Sequence, residues 1–291
     1  SYSDYIYVSG VTVGLRNHYD SYAQQIISGY KIPGGSLAVD LGSNDGSMLA
    51  PFKTAGMNVI GVEPAQEIAK KANEIGLYTI PDFFSQAVVE TIHKSHGQAK
   101  VITANYMYAN IDDVIGFSKN VKKILDDGGL FVIQTGYHPE QMKINMFDYI
   151  YHEHFSYFTV KVLSELLSKC EMELIHVSLH PSKGGSIRAI AQHKYGKRAV
   201  HESVKSFIDA EKRAAIHKPE TYIRFVNEIY LRKRELVGLL KQIRADGHII
   251  VGYGASHSTT TLIHHFEIGK YLDFIVDDNP IKHGLYSPGY H

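Results

Sequence analysis

Residues 36–49 read S-L-A-V-D-L-G-S-N-D-G-S-M-L, and this stretch decides the fold. A short, mainly apolar run, Ser36–Leu41, ends in Gly42 and a polar turn, and a helical stretch opens at Ser47. That pattern reads as a strand, a glycine-containing turn and a helix start. Further strand-like runs stand at Asn58–Val62, Lys100–Ala104 and Leu130–Gln134. Amphipathic stretches, Ala65–Ile75 and Val114–Leu125, separate them, and Asp126-Asp127-Gly128-Gly129 reads as a turn feeding the last strand. Strands alternating with helices at this spacing imply a doubly wound α/β domain with a parallel sheet.

The chain has 291 residues, 44% of them hydrophobic, enough for a full core and two domains. Thirty basic and thirty acidic residues cancel, so no basic field favours nucleic acid or an anionic membrane. A single cysteine, Cys170, excludes a disulfide framework or a cysteine-rich zinc site within the chain. The longest apolar runs are strand-sized, and residues 1–30 lack a signal peptide's layout. A cytoplasmic protein, monomeric or weakly self-associating, is the expectation.

Ligands of a doubly wound sheet bind at the carboxyl ends of its strands. Asp40, Gly42, Asn44 and Gly46 belong to the first such end, where the glycines permit close backbone approach. Glu63 ends the second strand and suits a ribose diol; Asp82 follows the third and suits an adenine amino group; Asn105 ends the fourth. A plain tight connection is the competing reading of the glycine turn. The acidic residue some twenty positions on favours a ribose site. The spacing Gly42-x-x-x-Gly46 is not the dinucleotide G-x-G-x-x-G, and with Asp40 leading the loop it points to S-adenosylmethionine rather than NAD.

Tyr151-His152-Glu153-His154 lies in an aromatic run, Phe147–Thr159. A histidine beside a carboxylate suits a general base. Zinc-binding histidines on a helix recur at i, i+4, whereas these stand at i, i+2 with no evident third ligand, so no metal is expected. A structural role, with the imidazoles hydrogen-bonded in a polar core, is the other alternative, and His152 is assigned to it.

Beyond Thr159 a helix runs to Ser168, and strand-like stretches Glu173–Val177 and Ile187–Gln192 flank the pair Gly184-Gly185. Arg188 is a candidate contact for phosphate or sugar. Helices are expected over Glu202–Ile216 and Tyr222–Arg244. Gly247–Ala255 then reads as a strand into a glycine turn, a helix starts at Ser256–Thr261, and Leu272–Val276 is a second strand. This is a second Rossmann-like βαβ unit, whose Tyr253, Gly254, Ser256 and Ser258 suit a phosphate at a helix N-terminus. A scaffold role is its competing reading.

V-D-L-G-S-N-D-G-S-M-L, G-V-E-P with Pro64, D-F-F with Phe83, and Ala104-Asn105 together resemble the class I S-adenosylmethionine methyltransferases. With Y-H-E-H-F-S-Y-F, K-G-G-S-I-R (Lys183–Arg188) and V-G-Y-G-A-S (Val251–Ser256), the chain resembles the bacterial C-methyltransferases of nucleotide-linked 4-keto deoxysugars. The resemblance implies His154 as base, with Glu153 and Tyr151 beside it. It also implies Tyr7, within Tyr7-Val8-Ser9-Gly10, at the active site, and Asn110 where the family carries a substrate-contacting histidine. Pro64 and Phe83 fall to the cofactor, with S-adenosylhomocysteine as product. The nucleotide-sugar would lie between the two halves, methylated at C3 or C5.

The implied organisation is an N-terminal segment and helix (1–30), a methyltransferase domain (31–180) and a smaller nucleotide-sugar domain (181–291). The family's four-cysteine zinc domain is missing, and relatives continue beyond His291, so a natural short form and a fragment are both expected possibilities. O- or N-methyl transfer, an NAD(P)-dependent oxidoreductase using the Gly252–Ala255 turn, and a non-catalytic binding subunit remain as rivals.

Overall fold

The computed structural model describes residues 15–289, so Tyr7 lies outside the described residues. A first helix, α1 (Leu15–Gly29), precedes β1 (Leu37–Leu41), α2 (Leu49–Thr54), β2 (Asn58–Val62), α3 (Gln66–Glu74) and β3 (Thr79–Ile80). Next come α4 (Gln86–His96), β4 (Ala99–Asn105), α5 (Val114–Ile124), β5 (Leu125–Gly136) and α6 (His138–Lys143). The sheet is completed by α7 (Val160–Lys169), β6 (Met172–His180) and β7 (Ser186–His193).

Seven strands pair in the order β3-β2-β1-β4-β5-β7-β6. All pairs from β3 to β5 are parallel, and β7 is antiparallel to both of its neighbours. The order reverses between β1 and β4, which opens a crevice at their carboxyl ends. Every residue of β1 is buried, as a strand covered on both faces requires. One face packs a cluster that includes Ile102, Phe131 and Leu163; the other packs Val101 and Val132 against Tyr22 and Ile26 of α1.

The expected boundary at 180/181 falls between β6 and β7, which pair in one sheet and with the strands before them make the first unit. Helix α8 (Glu202–Arg213) also belongs to that unit: its Glu211 carboxylate accepts from the Tyr137 hydroxyl (2.9 Å) and from the backbone N–H groups of Val160 (2.5 Å) and Lys161 (3.0 Å). Residues 126–129 form an irregularity inside β5 rather than a turn between elements, because Leu125 already pairs with Ala99 before the register resumes at Val101–Leu130.

The second unit is built from α9 (Pro219–Ala245), β8 (Val251–Tyr253), α10 (His257–Phe266) and β9 (Phe274–Val276). Strands β8 and β9 pair in parallel, a single βαβ unit. Its core gathers Ile229, Leu240, Ile263 and Phe266, and Phe147 of the first unit stacks on Phe266 with ring centroids 4.9 Å apart. That stack carries the residue 147–154 segment against α10.

Candidate active site

A cavity of about 690 Å³ opens at the carboxyl ends of β1, β2 and β4, within the range of small-molecule sites. Gly42, Asn44, Glu63, Pro64, Phe83 and Asn105 line it, and so does Asn110, which was expected as a substrate contact. Val62, Phe84, Met107, Ile111 and Phe117 supply apolar wall. Gly42 has φ +69, and a Cβ there would sit 3.0 Å from Met107 Cγ, so glycine is required at the floor. Glu63 is 5% exposed, and its two oxygens accept from the backbone N–H groups of Asn44 and Ala65, each at 2.9 Å. Burial raises its pKa and those two bonds oppose the rise. Each oxygen keeps acceptor capacity for a ligand hydroxyl.

Three expected cofactor residues do not reach this cavity. Asp40 is buried beneath it, accepting from the Thr103 hydroxyl (2.5 Å) and the Asn105 amide (3.4 Å), and burial lifts its pKa to about 7. It braces Asn105 instead of meeting a ligand. Gly46 serves packing, since a Cβ there would run into Leu77. Asp82 is exposed and closes its own turn onto the Phe83 N–H (2.7 Å).

A smaller cavity of about 100 Å³ adjoins the first, and Tyr106, Asn110 and Lys183 line both. Tyr151, Glu153 and His154 line the smaller one. The segment that carries them is a loop, held where the N–H groups of Phe155 and Ser156 donate to the Ala109 carbonyl (2.9 and 3.1 Å). Buried Phe158, tilted against Tyr108 with centroids 5.3 Å apart, anchors its far end.

His154 Nδ1 lies 2.8 Å from the Tyr149 carbonyl. A carbonyl only accepts, so Nδ1 carries the hydrogen and Nε2 keeps its lone pair. The ring lies 4.3 Å from that of Tyr151. Burial lowers the imidazole pKa below the usual histidine value, the Tyr149 bond and the Glu153 charge oppose this, and Lys183 adds to it. A neutral imidazole results, fit to accept a proton near neutral pH. Glu153 Oε1 is 3.3 Å from His257 Nδ1, so a side chain of α10 braces the carboxylate next to His154. His152 is exposed, not held in a polar core, with its ring near Tyr151 and His257. Among the described residues no group of three His, Cys, Asp or Glu is gathered as a metal site.

The remaining expected residues stand apart. Arg188 is 3% exposed, with its guanidinium 3.7 Å from the Tyr22 ring centroid. Its Nε and Nη1 donate to Gln134 (3.1 Å) and Gln25 (2.8 Å), so it ties β7 to β5 and α1 and lines neither cavity. Tyr253 is 76% exposed and donates to Asp278 at 2.5 Å. Gly254, Ser256 and Ser258 lie at the start of α10, where Ser256 and Thr259 form a capping box. Ser256 also lines a hollow of about 590 Å³ beside β9 and residues 282–288. None of the four lines the two joined cavities.

Sequence reasoning passed over Tyr106 and Lys183, both shared by the cavities. Tyr106 follows the strand-end Asn105 directly and has φ 56. Lys183 opens the K-G-G-S-I-R motif, whose arginine drew the attention.

The sheet order and the cavity at its switch point define a class I, Rossmann-like S-adenosylmethionine-dependent methyltransferase. A family model described as a methyltransferase domain matches residues 20–177, and one described as a C-methyltransferase C-terminal domain matches residues 181–291. The C-methyltransferase NovU of Streptomyces niveus is 30% identical over 289 residues, covering 99% of this chain and 69% of that relative. A solved S-adenosylmethionine-dependent methyltransferase from Clostridium acetobutylicum is similar over 62% of this chain and 92% of its own, with 11% identity and a TM-score of 0.49. The chain belongs to the C-methyltransferase family. Membership sets aside the oxidoreductase and non-catalytic alternatives.

Proposed function

We propose that the chain methylates the carbon beside the ketone of a nucleotide-linked 4-keto-6-deoxy sugar, at C3 with C5 as the second candidate. One observation carries the reading. His154, whose Nδ1 is engaged by the Tyr149 carbonyl so that Nε2 keeps its lone pair, lines a small cavity that shares Tyr106, Asn110 and Lys183 with the larger one. A proton acceptor beside the donor cavity is what methylation of a carbon acid requires.

Gly42, Asn44, Glu63, Pro64, Phe83 and Asn105 would hold S-adenosylmethionine, and the cavity's size, apolar wall and buried acceptor fit it. When bound, it supplies a methyl group on a positively charged sulfur, which keeps the bonding pair as the methyl leaves. His154 takes the proton from the carbon next to the ketone, and the electrons of that C–H bond pass towards the ketone oxygen. The Tyr151 hydroxyl is the candidate donor to that oxygen, and Tyr7 is proposed alongside it from the resemblance alone. Glu153, braced by His257, steadies the imidazole through its charge. The nucleotide is assigned to the α10 side, since α10 meets residues 147–149 and its His257 reaches Glu153 beside His154.

Incubation with S-adenosylmethionine and a panel of uridine-, thymidine-, cytidine- and guanosine-diphosphate 4-keto-6-deoxyhexoses tests the proposal. A product heavier by one CH₂, with the new methyl on carbon by NMR, is expected. Solvent deuterium should enter the same carbon in the presence of S-adenosylhomocysteine. His154→Ala should lower both rates by roughly 10²–10⁴-fold, the range of a lost general base. Full methyl transfer by His154→Ala would sink the reading.

A further inference from the structure

We propose that Lys183 supplies the positive charge that stabilises the oxyanion formed as His154 deprotonates the substrate; this rests on His154 being the base. Lys183 is the single cation lining both cavities among the described residues. Its Nζ lies 4.0 Å from the Tyr106 ring centroid, a cation–π contact that holds the head group at their junction. Its field also bears on the His154 imidazole, helping to keep it neutral.

The turn beneath it is built for one shape. Lys183, Gly184 and Gly185 have φ values of 51, 76 and 105°, three successive residues in the region that glycine favours. A Cβ on Gly184 would run into the Met146 thioether, and one on Gly185 would sit 2.7 Å from Glu140 Cβ. No other residue than glycine fits either position without displacing α6 or its following loop. Lysine is the exception in the run, held in a left-handed conformation that is costly for a side chain with a Cβ.

Burial lowers the Lys183 pKa to about 8, so the ammonium persists at neutral pH while its desolvation strengthens its field. The step balances simply. The proton moves from carbon to His154 Nε2, the C–H pair becomes a C=C bond, and the former C=O pair settles on oxygen. Lys183 keeps its own proton throughout. A fixed cation beside that oxygen lowers the barrier by preorganised electrostatics.

The test uses Lys183→Met and Lys183→Arg in the full chain, with folding checked by circular dichroism. In Lys183→Met, the His154 pKa, read by NMR of ¹⁵N-histidine-labelled protein, should rise; in Lys183→Arg it should stay. Deuterium exchange and methyl transfer on the 4-keto-sugar panel should both fall about 10²–10³-fold in Lys183→Met, with partial rescue by arginine. S-adenosylhomocysteine affinity, by calorimetry, should change less than about threefold, because a role confined to the transition state leaves ground-state binding alone. An unmoved His154 pKa, or turnover near wild type, overturns the proposal. So does a loss of S-adenosylhomocysteine affinity that matches the loss of turnover, since Lys183 would then be a cofactor ligand. If wild-type protein methylates no member of the panel, the substrate reading fails, and the His154 shift still decides for or against Lys183.

Discussion

The glycine turn after β1 and the glycine turn after β8 follow the same local pattern and end in opposite surroundings. Gly42 follows a strand buried at all five positions and forms the floor of a cavity walled by five other segments. Gly254 follows a three-residue strand whose outer two residues are exposed, and nothing lies within 4 Å of where its Cβ would be. The helix after Gly42 has no side-chain cap, whereas α10 is capped by its own Ser256 and Thr259. A βα turn becomes a cavity only when neighbouring strands and loops wall it in. Neighbouring strands do so around Gly42, whereas the hollow of about 590 Å³ beside the second turn is walled by β9 and residues 282–288 and leaves Gly254 outside it.

The contrast breaks most readily in stability. Phe131 of β5 is fully buried, so Phe131→Ala should destabilise the first unit by about 3–5 kcal/mol. Phe274 of β9 is 52% exposed, and its truncation should cost under about 1 kcal/mol. Urea unfolding compares them; equal losses would mean the second unit is packed as tightly as the first.

Ligand affinity sharpens the same comparison. Glu63→Ala removes a buried acceptor and strands two backbone N–H groups. Its dissociation constant for S-adenosylhomocysteine should rise at least about tenfold, in keeping with roughly 1.5–3 kcal/mol for a hydrogen bond to a charged group. Tyr253→Ala, altering the second turn, should leave that constant unchanged.

Next in size is pH. The His154 pKa lies below the usual histidine value, so its base form is lost only as pH falls beneath that value. The Lys183 pKa is lowered to about 8, so the ammonium is lost as pH rises through about 8. A kcat/KM profile should be flat around neutrality and fall on both sides. Lys183→Arg should extend the alkaline side, and an unchanged limb there would assign it to another group.

The smallest expected effect is local. Ser256→Ala should loosen the first turn of α10 by about 1 kcal/mol, read as faster amide exchange there with the sheet amides unaffected.

Legibility followed burial. β2 was readable to the residue, Asn58–Val62, because its last three residues are buried and the apolar run is bounded by polar and turn residues. The cavity at the strand ends was legible at Gly42, Glu63 and Asn105, since strand ends and turns are local. Arg188 misled because a cation beside a glycine pair suggests phosphate, while its stack on Tyr22 and its bonds to Gln134 and Gln25 span over 160 positions. Lys183 was hidden for the converse reason. Its neighbours Tyr106 and His154 arrive from two separate loops.

The sequence alone determined the alternation of strands and helices, the strand-end carboxylate Glu63, and a histidine beside a glutamate in an aromatic run. These are matters of period and turn chemistry, settled within a few residues. Tertiary structure decided which of them meet. It inserted β7 between β5 and β6, buried Asp40 and Arg188 as braces, and joined the two cavities through Tyr106, Asn110 and Lys183. It also brought His257 of the second unit onto Glu153. Such meetings depend on crossover and packing between distant segments, and no local pattern in the chain encodes them.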